Sequence, residues 1–232
     1  MSKPIKALLF DKDGTLFDFQ ATWGVWCDGF IADVSEGDAV MAAALAKAMD
    51  YDLENSAFLP SSVMITDSMD GIMDAVHSAL PHWDRDALTQ YVIETGSLAP
   101  QSPVVDLGPL LGRFRANGLK IGLATNDNEA PARAHLTSVS VLEYFDFVSG
   151  CDSGFGAKPE AGMLLGFADA MGLQPSEIAM VGDSTHDLRA GRAAGMVNIA
   201  VLTGPAVADD LAPHADIVLQ NIGEIPEWLG LE

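Results

Sequence analysis

The sequence has little cysteine and little positive charge. Its two cysteines, Cys27 and Cys151, are too few and too far apart for a disulfide framework or a cysteine-built zinc site. Only 12 residues are basic against 33 acidic ones, which gives a net charge of −21. Because so acidic a protein repels phosphate backbones and anionic lipids, we expect neither a nucleic acid nor a membrane as its partner.

Long hydrophobic runs are also missing near the N-terminus. The mostly apolar run from Ile5 to Phe10 has six residues, which is too short for the core of a signal peptide or for a membrane span. We therefore expect a cytoplasmic protein. Hydrophobic residues still make up 49% of the 232 residues, enough to fill the core of one large domain or two small ones.

Short apolar runs alternate with segments of helical spacing along most of the chain. The runs that predict strands are residues 5–10, 119–124, 145–148, 178–181, 198–202 and 215–219. The segments that predict helices between and after them are residues 105–117, 129–142, 160–171, 187–194 and 225–229. This alternation predicts an α/β fold, a Rossmann-like parallel sheet with helices on both faces. Ligands of such sheets bind where the strands end, so the polar residues that follow each strand are candidate site residues.

Residues 17–100 differ from the rest of the chain in charge and in pattern. They contain 14 acidic and two basic residues, a net charge of −12, and they include no convincing strand. Helical spacing covers residues 39–49, 68–80 and 84–94. We interpret residues 17–100 as an α-helical domain inserted into a core domain that is formed by residues 1–16 and 101–232.

Two acidic residues, Asp11 and Asp13, follow the first predicted strand with one residue between them. Their carboxylates can converge through the turn at Gly14, and each raises the cost of ionising the other. A cation such as Mg²⁺ would compensate this repulsion. The plainer interpretation is an Asp-Gly turn with a solvated second aspartate, since such turns are common.

A second acidic pair, Asp183 and Asp187, follows the strand predicted at residues 178–181. Either residue, or Ser184, could instead serve the start of the next helix as a cap or a dipole partner. Capping does not explain why two buried strands each end in a pair of acids. Together the pairs place up to four carboxylates, those of Asp11, Asp13, Asp183 and Asp187, at one edge of the sheet. Such an oxygen-rich set favours Mg²⁺ over zinc.

Polar donors follow two other segments. Thr125 and Asn126 end the strand predicted at residues 119–124, where a hydroxyl and an amide suit a phosphoryl oxygen, although a turn or helix cap is an equal alternative. Lys158 stands directly before Pro159, which is expected in the first turn of the helix predicted at residues 160–171. A cation there is disfavoured by the helix dipole, which indicates a function, although most lysines are ordinary surface residues.

These segments resemble the four motifs of the haloacid dehalogenase superfamily, in its phosphatase branch, and specifically the phosphoglycolate-phosphatase-like group with a helical cap. The matching segments, in order, are Asp11-Lys-Asp13-Gly14-Thr15-Leu16, Thr125-Asn126, Lys158-Pro159 and Gly182-Asp183-Ser-Thr-His-Asp187. The first and fourth motifs are specific, whereas the second and third would be weak alone. The resemblance extends from residue 5 to about residue 205.

The resemblance implies a Mg²⁺-dependent phosphatase that hydrolyses a small phosphate monoester through an aspartyl-phosphate. Asp11 is then the nucleophile and Asp13 the general acid and base. Thr125, Asn126 and Lys158 are expected to bind the phosphoryl group. The metal is expected to bind Asp11, the backbone carbonyl of Asp13, Asp183 and, directly or through water, Asp187. The expected partner is a small phosphorylated metabolite, and the expected assembly is a monomer or a homodimer.

Two other functions stay open, and two residues receive no catalytic role. A β-phosphoglucomutase-like phosphosugar mutase shares the four motifs, and a non-catalytic regulatory module could retain the phosphate pocket. Lys12 is predicted to point away from the two acids beside it, as strand alternation would require. His186 is interpreted as a polar or capping residue at the start of a helix.

Overall fold

The computed structural model describes residues 4–59, 61–67 and 69–231. The described residues form two compact units. The first unit contains the chain up to Asp18 and from Gln101 onward, and the second contains residues 19–100. The first unit includes two residues beyond the predicted boundary because Phe17 bridges to Asp13 and Pro103 and the Asp18 N–H donates to the Ser102 carbonyl at 2.8 Å.

The first unit is built on six parallel strands and the second contains a short hairpin. The strands in chain order are β1 (Ala7–Phe10), β2 (Tyr51–Asp52), β3 (Ala57–Phe58), β4 (Lys120–Ala124), β5 (Phe147–Ser149), β6 (Ile178–Gly182), β7 (Val197–Val201) and β8 (Ile217–Leu219). The six-stranded sheet has the order β5-β4-β1-β6-β7-β8, and every neighbouring pair in it is parallel. Each of the six predicted strands is therefore present.

Helices lie between the strands and fill the second unit. They are α1 (Val25–Ser35), α2 (Ala39–Ala48), α3 (Val63–Thr66), α4 (Met69–Ala79), α5 (Arg85–Gly96), α6 (Leu107–Ala116), α7 (Glu129–Ser138), α8 (Gly162–Met171), α9 (Thr185–Ala194), α10 (Ala208–Leu211) and α11 (Ile225–Trp228). A π-helical turn, Gln20–Gly24, leads into α1. Among the described residues, the helices are all too short or too polar to cross a membrane.

Helices cover both faces of the sheet, and successive residues of the central strand β1 pack on opposite faces. Leu8 and Phe10 of β1 pack into a core with residues of α6, α7 and α11, whereas Ala7 and Leu9 pack into a second core with residues of α8 and α9. A strand that is apolar at every position is the mark of a sheet buried on both sides. The α/β class predicted from the sequence is confirmed.

The second unit has its own hydrophobic core and one feature that the sequence analysis missed. Trp23, Trp26 and Phe30 lie in that core, with the Trp26 and Phe30 rings stacked at 5.1 Å. The prediction that residues 17–100 contain no strand is wrong, because β2 and β3 pair in an antiparallel hairpin. Each strand has only two residues, too few to show an alternating pattern.

The chain order of the sheet places a crevice at the end of β1. From β1 the chain moves to β4 and β5 on one side and then returns to β6, β7 and β8 on the other. Ligands of open parallel sheets bind at such a reversal, outside the carboxyl ends of the strands. Asp11 follows β1, Thr125 follows β4 and Asp183 follows β6, so the predicted site residues begin at this crevice.

Candidate active site

Asp11 lies at the end of the central strand and contacts a lysine from a distant part of the chain. Its backbone N–H donates to the Val181 carbonyl at 2.8 Å, which extends the pairing of β1 with β6 by one residue. Its side chain accepts a hydrogen bond from Lys158 Nζ at 2.5 Å. Asp11 and Lys158 are both buried. A buried carboxylate and a buried lysine ammonium group therefore meet at the end of β1.

The side chain of Asp187 takes part in the cap of α9 and also contacts Lys158. Ser184 is the N-cap of α9 and forms a capping box with Asp187. Asp187 Oδ2 accepts hydrogen bonds from the Ser184 backbone N–H at 3.0 Å and from its hydroxyl at 2.6 Å. Asp187 Oδ1 accepts from Lys158 Nζ at 2.6 Å. One oxygen of Asp187 thus takes part in the cap of α9 and the other contacts Lys158, while Ser184, and not His186, is the N-cap residue of this helix.

The carboxylate of Asp183 occupies a space that two glycines, Gly14 and Gly204, leave open. Its Oδ1 accepts a hydrogen bond from the Thr15 hydroxyl at 3.1 Å. A Cβ added at Gly14 or at Gly204 would overlap the Asp183 carboxylate, and Gly14 also has a φ of 79° that favours glycine. The Thr203 hydroxyl donates to the Gly14 carbonyl at 2.6 Å. The loop after β7 thus supports the site, although the sequence analysis gave Thr203 and Gly204 no role.

Three buried carboxylates come together at this point. One oxygen each from Asp11, Asp183 and Asp187 lies within 4.8 Å of the others. Burial is the main cause that raises the pKa of Asp11, to about 7, with Asp187 adding to the rise and Lys158 opposing it. Burial, followed by repulsion from Asp11 and Asp187, also holds the pKa of Asp183 well above its usual value. Negative charge in this cluster is costly without a cation.

The position of Lys158 is fixed by two hydrogen bonds between its backbone and the side chain of Asn126. The Asn126 side-chain carbonyl accepts from the Lys158 N–H at 2.8 Å, and the Asn126 amide donates to the Lys158 carbonyl at 3.0 Å. The Lys158–Pro159 peptide bond is cis. The next helix, α8, begins at Gly162, two residues after the start predicted at residue 160, so Pro159 lies before it. Burial lowers the pKa of Lys158, but Asp11 and Asp187 outweigh burial and hold that pKa above its ordinary value.

Thr125 and Asn126 therefore occupy different positions in the site. The Thr125 N–H donates to the Ser149 carbonyl at 3.0 Å, and its hydroxyl oxygen accepts from the Asp127 N–H at 3.1 Å. This leaves the proton of the buried Thr125 hydroxyl for another acceptor. The Asn126 side chain is instead hydrogen-bonded to the backbone of Lys158.

Asp13 lies apart from the three clustered acids. Its Oδ2 is 2.7 Å from Lys12 Nζ, and it does not belong to the group formed by Asp11, Asp183 and Asp187. The prediction that Lys12 points away from both acids is wrong for Asp13. Strand alternation does not apply here, because β1 ends at Phe10 and the chain then turns. Lys12 also contacts Asp127 and His135, two residues that no sequence pattern marked.

The sequence profile of the haloacid dehalogenase-like hydrolases matches residues 5–195. A phosphoglycolate phosphatase of Chromobacterium violaceum is 32% identical to the chain over 236 residues, which cover 96% of each protein. These two findings show that the chain belongs to the haloacid dehalogenase-like hydrolase family. Within that family, its relatives indicate a phosphoric monoester hydrolase.

Solved structures share the fold over nearly the whole chain. A putative phosphatase from Clostridium difficile superposes with a TM-score of 0.71 at 19% identity, covering 98% of this chain and 99% of that one. A β-phosphoglucomutase from Clostridium difficile superposes with a TM-score of 0.66 at 16% identity, covering 97% of each chain. The fold is therefore common to phosphatases and mutases, and the choice between them depends on side chains.

Proposed function

We propose that this protein is a Mg²⁺-dependent phosphatase that hydrolyses a small phosphate monoester through an aspartyl-phosphate on Asp11. The observation that carries the proposal is the contact between Asp11 and Lys158 beside Asp183 and Asp187. A nucleophilic carboxylate must meet an anionic substrate, and this meeting requires positive charge at the same place. Lys158 supplies one such charge.

The three clustered carboxylates fit a magnesium ion. All three side chains offer oxygen, they are buried, and their ligand atoms lie within 4.8 Å of one another. Small hard cations prefer such donors. We propose that Asp11, Asp183 and Asp187 hold Mg²⁺ together with the backbone carbonyl of Asp13. When bound, the ion would offset the charge of Asp11 and of the transferring phosphoryl group.

The residues of the chain divide the reaction into two steps. In the first step an Asp11 carboxylate oxygen bonds to phosphorus while the bond to the leaving oxygen breaks, and Asp13 gives that oxygen a proton. In the second step Asp13 takes a proton from water, whose oxygen attacks phosphorus. This attack releases inorganic phosphate and restores Asp11. Lys158 and the Thr125 hydroxyl would bind the phosphoryl oxygens in both steps, and Asn126 would hold Lys158 in place.

The second unit, residues 19–100 of the predicted cap 17–100, is proposed to act as a cap domain that selects the leaving group. The relative from Chromobacterium violaceum is named phosphoglycolate phosphatase. We propose phosphoglycolate or a similarly compact phosphate monoester as the substrate, in the cytoplasm. The sequence from 19 to 100 has two basic residues, Lys47 and Arg85. This unit therefore offers few cations that could bind a second phosphate.

A panel of phosphate monoesters tests the proposal. The purified protein should release inorganic phosphate with Mg²⁺ and lose this activity with EDTA. Asp11→Asn should be inactive while its circular dichroism matches the wild type, because the change is isosteric at the mouth of a loop. Full activity after exhaustive chelation would contradict the metal assignment. Wild-type turnover by Asp11→Asn would contradict the nucleophile and favour a different mechanism.

A further inference from the structure

Lys12 is a fully buried lysine whose ammonium group lies among three side chains. Lys12 Nζ is 2.7 Å from Asp13 Oδ2, 2.9 Å from Asp127 Oδ2 and 3.1 Å from His135 Nδ1. Lys12 has no solvent exposure and His135 has 1%. The partners come from the turn after β1, from the loop after β4 and from α7. The cluster therefore ties three segments of the first unit to one cation.

The ammonium group of Lys12 is charged. Burial lowers its pKa, but Asp127 and Asp13 outweigh burial and keep that pKa above its ordinary value. Lys12 donates to Nδ1 of His135, which places the proton of a neutral His135 ring on Nε2. A buried charge of this kind costs desolvation energy, and an apolar side chain of the same volume would serve packing at least as well. A role in packing alone does not explain the lysine.

We infer that Lys12, anchored by Asp127 and His135, is a positioning residue that fixes the carboxyl group of Asp13 for proton transfer. This inference rests on the proposed function, because it gives Asp13 the role of general acid and base. Lys12 does not touch the reacting atoms in this account. It acts through the 2.7 Å contact with Asp13, while Asp127 and His135 prevent its own side chain from moving.

The direct test is a double-mutant cycle of Lys12→Met and Asp13→Asn. Methionine keeps the length of the lysine stem and removes its charge. Lys12→Met should lower kcat roughly 10²-fold, the scale of loss from a misplaced catalytic group, with little change in KM. In the Asp13→Asn background the same change should have almost no further effect, because the group that Lys12 positions is gone. An equal loss in both backgrounds, or no loss from Lys12→Met, would overturn the inference.

The leaving group gives a readout that a general structural defect would not reproduce. The nitrophenolate of p-nitrophenyl phosphate leaves without a proton, whereas an alkyl oxygen needs one. The pre-steady-state burst of nitrophenol from Lys12→Met should stay near the wild-type rate, while phosphorylation by ethyl phosphate should be slowed. Equal slowing of both would show damage to the phosphate site and would contradict positioning of Asp13.

Controls separate folding and the proposed function from this inference. Lys6→Met removes an exposed lysine that pairs with Glu177 at 2.8 Å, and it should leave kcat unchanged. If Lys12→Met fails to fold, Lys12→Met with Asp127→Asn removes both charges of the pair and should show the same kcat loss.

Crystal structures of the wild type and of Lys12→Met test the position of the Asp13 side chain without any measurement of activity. An Asp13 side chain unmoved by the substitution in an active enzyme would overturn the inference alone, whereas a wild type without phosphatase activity would refute the proposed function and, with it, the proton-transfer role of Asp13.

Discussion

The side chain of Asn126 forms a pair of hydrogen bonds with the backbone of Lys158, accepting from its N–H at 2.8 Å and donating to its carbonyl at 3.0 Å. The residues are 32 positions apart in the chain. Asn126 is the second residue after β4, so the pair ties Lys158 to the sheet. The position of the Lys158 ammonium group beside Asp11 therefore depends on an amide that does not itself touch Asp11.

Asn126→Ala is expected to weaken phosphate binding and to lower stability. Two hydrogen bonds of this kind contribute about 1–3 kcal/mol together, so the free energy of unfolding should fall by roughly that amount. Inhibition by inorganic phosphate should weaken because Lys158 loses its anchor. Asn55→Ala is the matched control, since the Asn55 amide donates to Asp52 on an exposed turn. Unchanged phosphate inhibition in Asn126→Ala would show that Lys158 is placed by other contacts.

Asp183→Asn is expected to stabilise the metal-free protein while it removes the response to Mg²⁺. The substitution relieves a buried charge that Asp11 and Asp187 oppose, and Asn can still accept from Thr15. Each kcal/mol gained should raise Tm by about 2–4 °C in a chain of this size. Thermal scans with EDTA and with Mg²⁺ provide the measurement, and Asp169→Asn on the exposed face of α8 is the control. A wild-type Tm shift with Mg²⁺ in Asp183→Asn would contradict its role as a ligand.

Asp146 gives the first unit a pH-dependent contribution to stability. Burial raises its pKa, but the hydrogen bonds from Arg115 and from the Ile121 N–H, with the charges of Arg115 and Lys120, outweigh burial and lower it. An acid whose folded pKa lies below its unfolded pKa of about 3.9 stabilises above that unfolded value and loses the contribution as pH falls through the folded pKa.

Asp146→Asn should therefore lower the free energy of unfolding at pH 7 by about 1–3 kcal/mol, the scale of hydrogen bonds to charged groups. The difference from wild type should shrink as pH falls below about 4. Urea unfolding at several pH values measures it. A difference that stays constant down to acid pH would show that lost packing, and not the charge of Asp146, causes the effect.

A substrate with a second phosphate should be a poor one. Arg85 is already paired with Asp74 at 2.7 Å, which leaves this unit little free positive charge. Two unit charges ~6 Å apart at an effective dielectric of ~20 repel by roughly 3 kcal/mol, so an acidic cap would discriminate against bisphosphates. The comparison is kcat/KM for a matched monophosphate and bisphosphate at low and high salt. A bisphosphate preferred at every ionic strength would favour the mutase.

The sheet could be predicted from the sequence because its strands are short runs that are apolar on both faces. Residues 145–148 were predicted as a strand and β5 covers Phe147–Ser149, so even this weak run was found. The hairpin β2–β3 was missed because two-residue strands carry no period. The helix α10 was also missed.

Only the residues of the candidate site that a local sequence pattern marks could be predicted. Asp11 and Asp183 were found because each follows a buried strand. The contact between Lys12 and His135 joins residues 123 positions apart, and no local spacing encodes it. The support of Asp183 by Gly204 likewise depends on how the loop after β7 packs against the turn after β1.

The central claim is that Asp11 becomes phosphorylated during the reaction, and capture of that intermediate tests it most directly. Asp13→Asn should slow hydrolysis of the acyl phosphate by roughly 10²–10⁴-fold, so the intermediate should accumulate with p-nitrophenyl phosphate and Mg²⁺. Acid quenching and mass spectrometry of the peptide that contains Asp11 should then show one added phosphoryl group on that residue. The double variant with Asp11→Asn should show none. Turnover without a phosphorylated Asp11, or a phosphoryl group on another residue, would contradict the account.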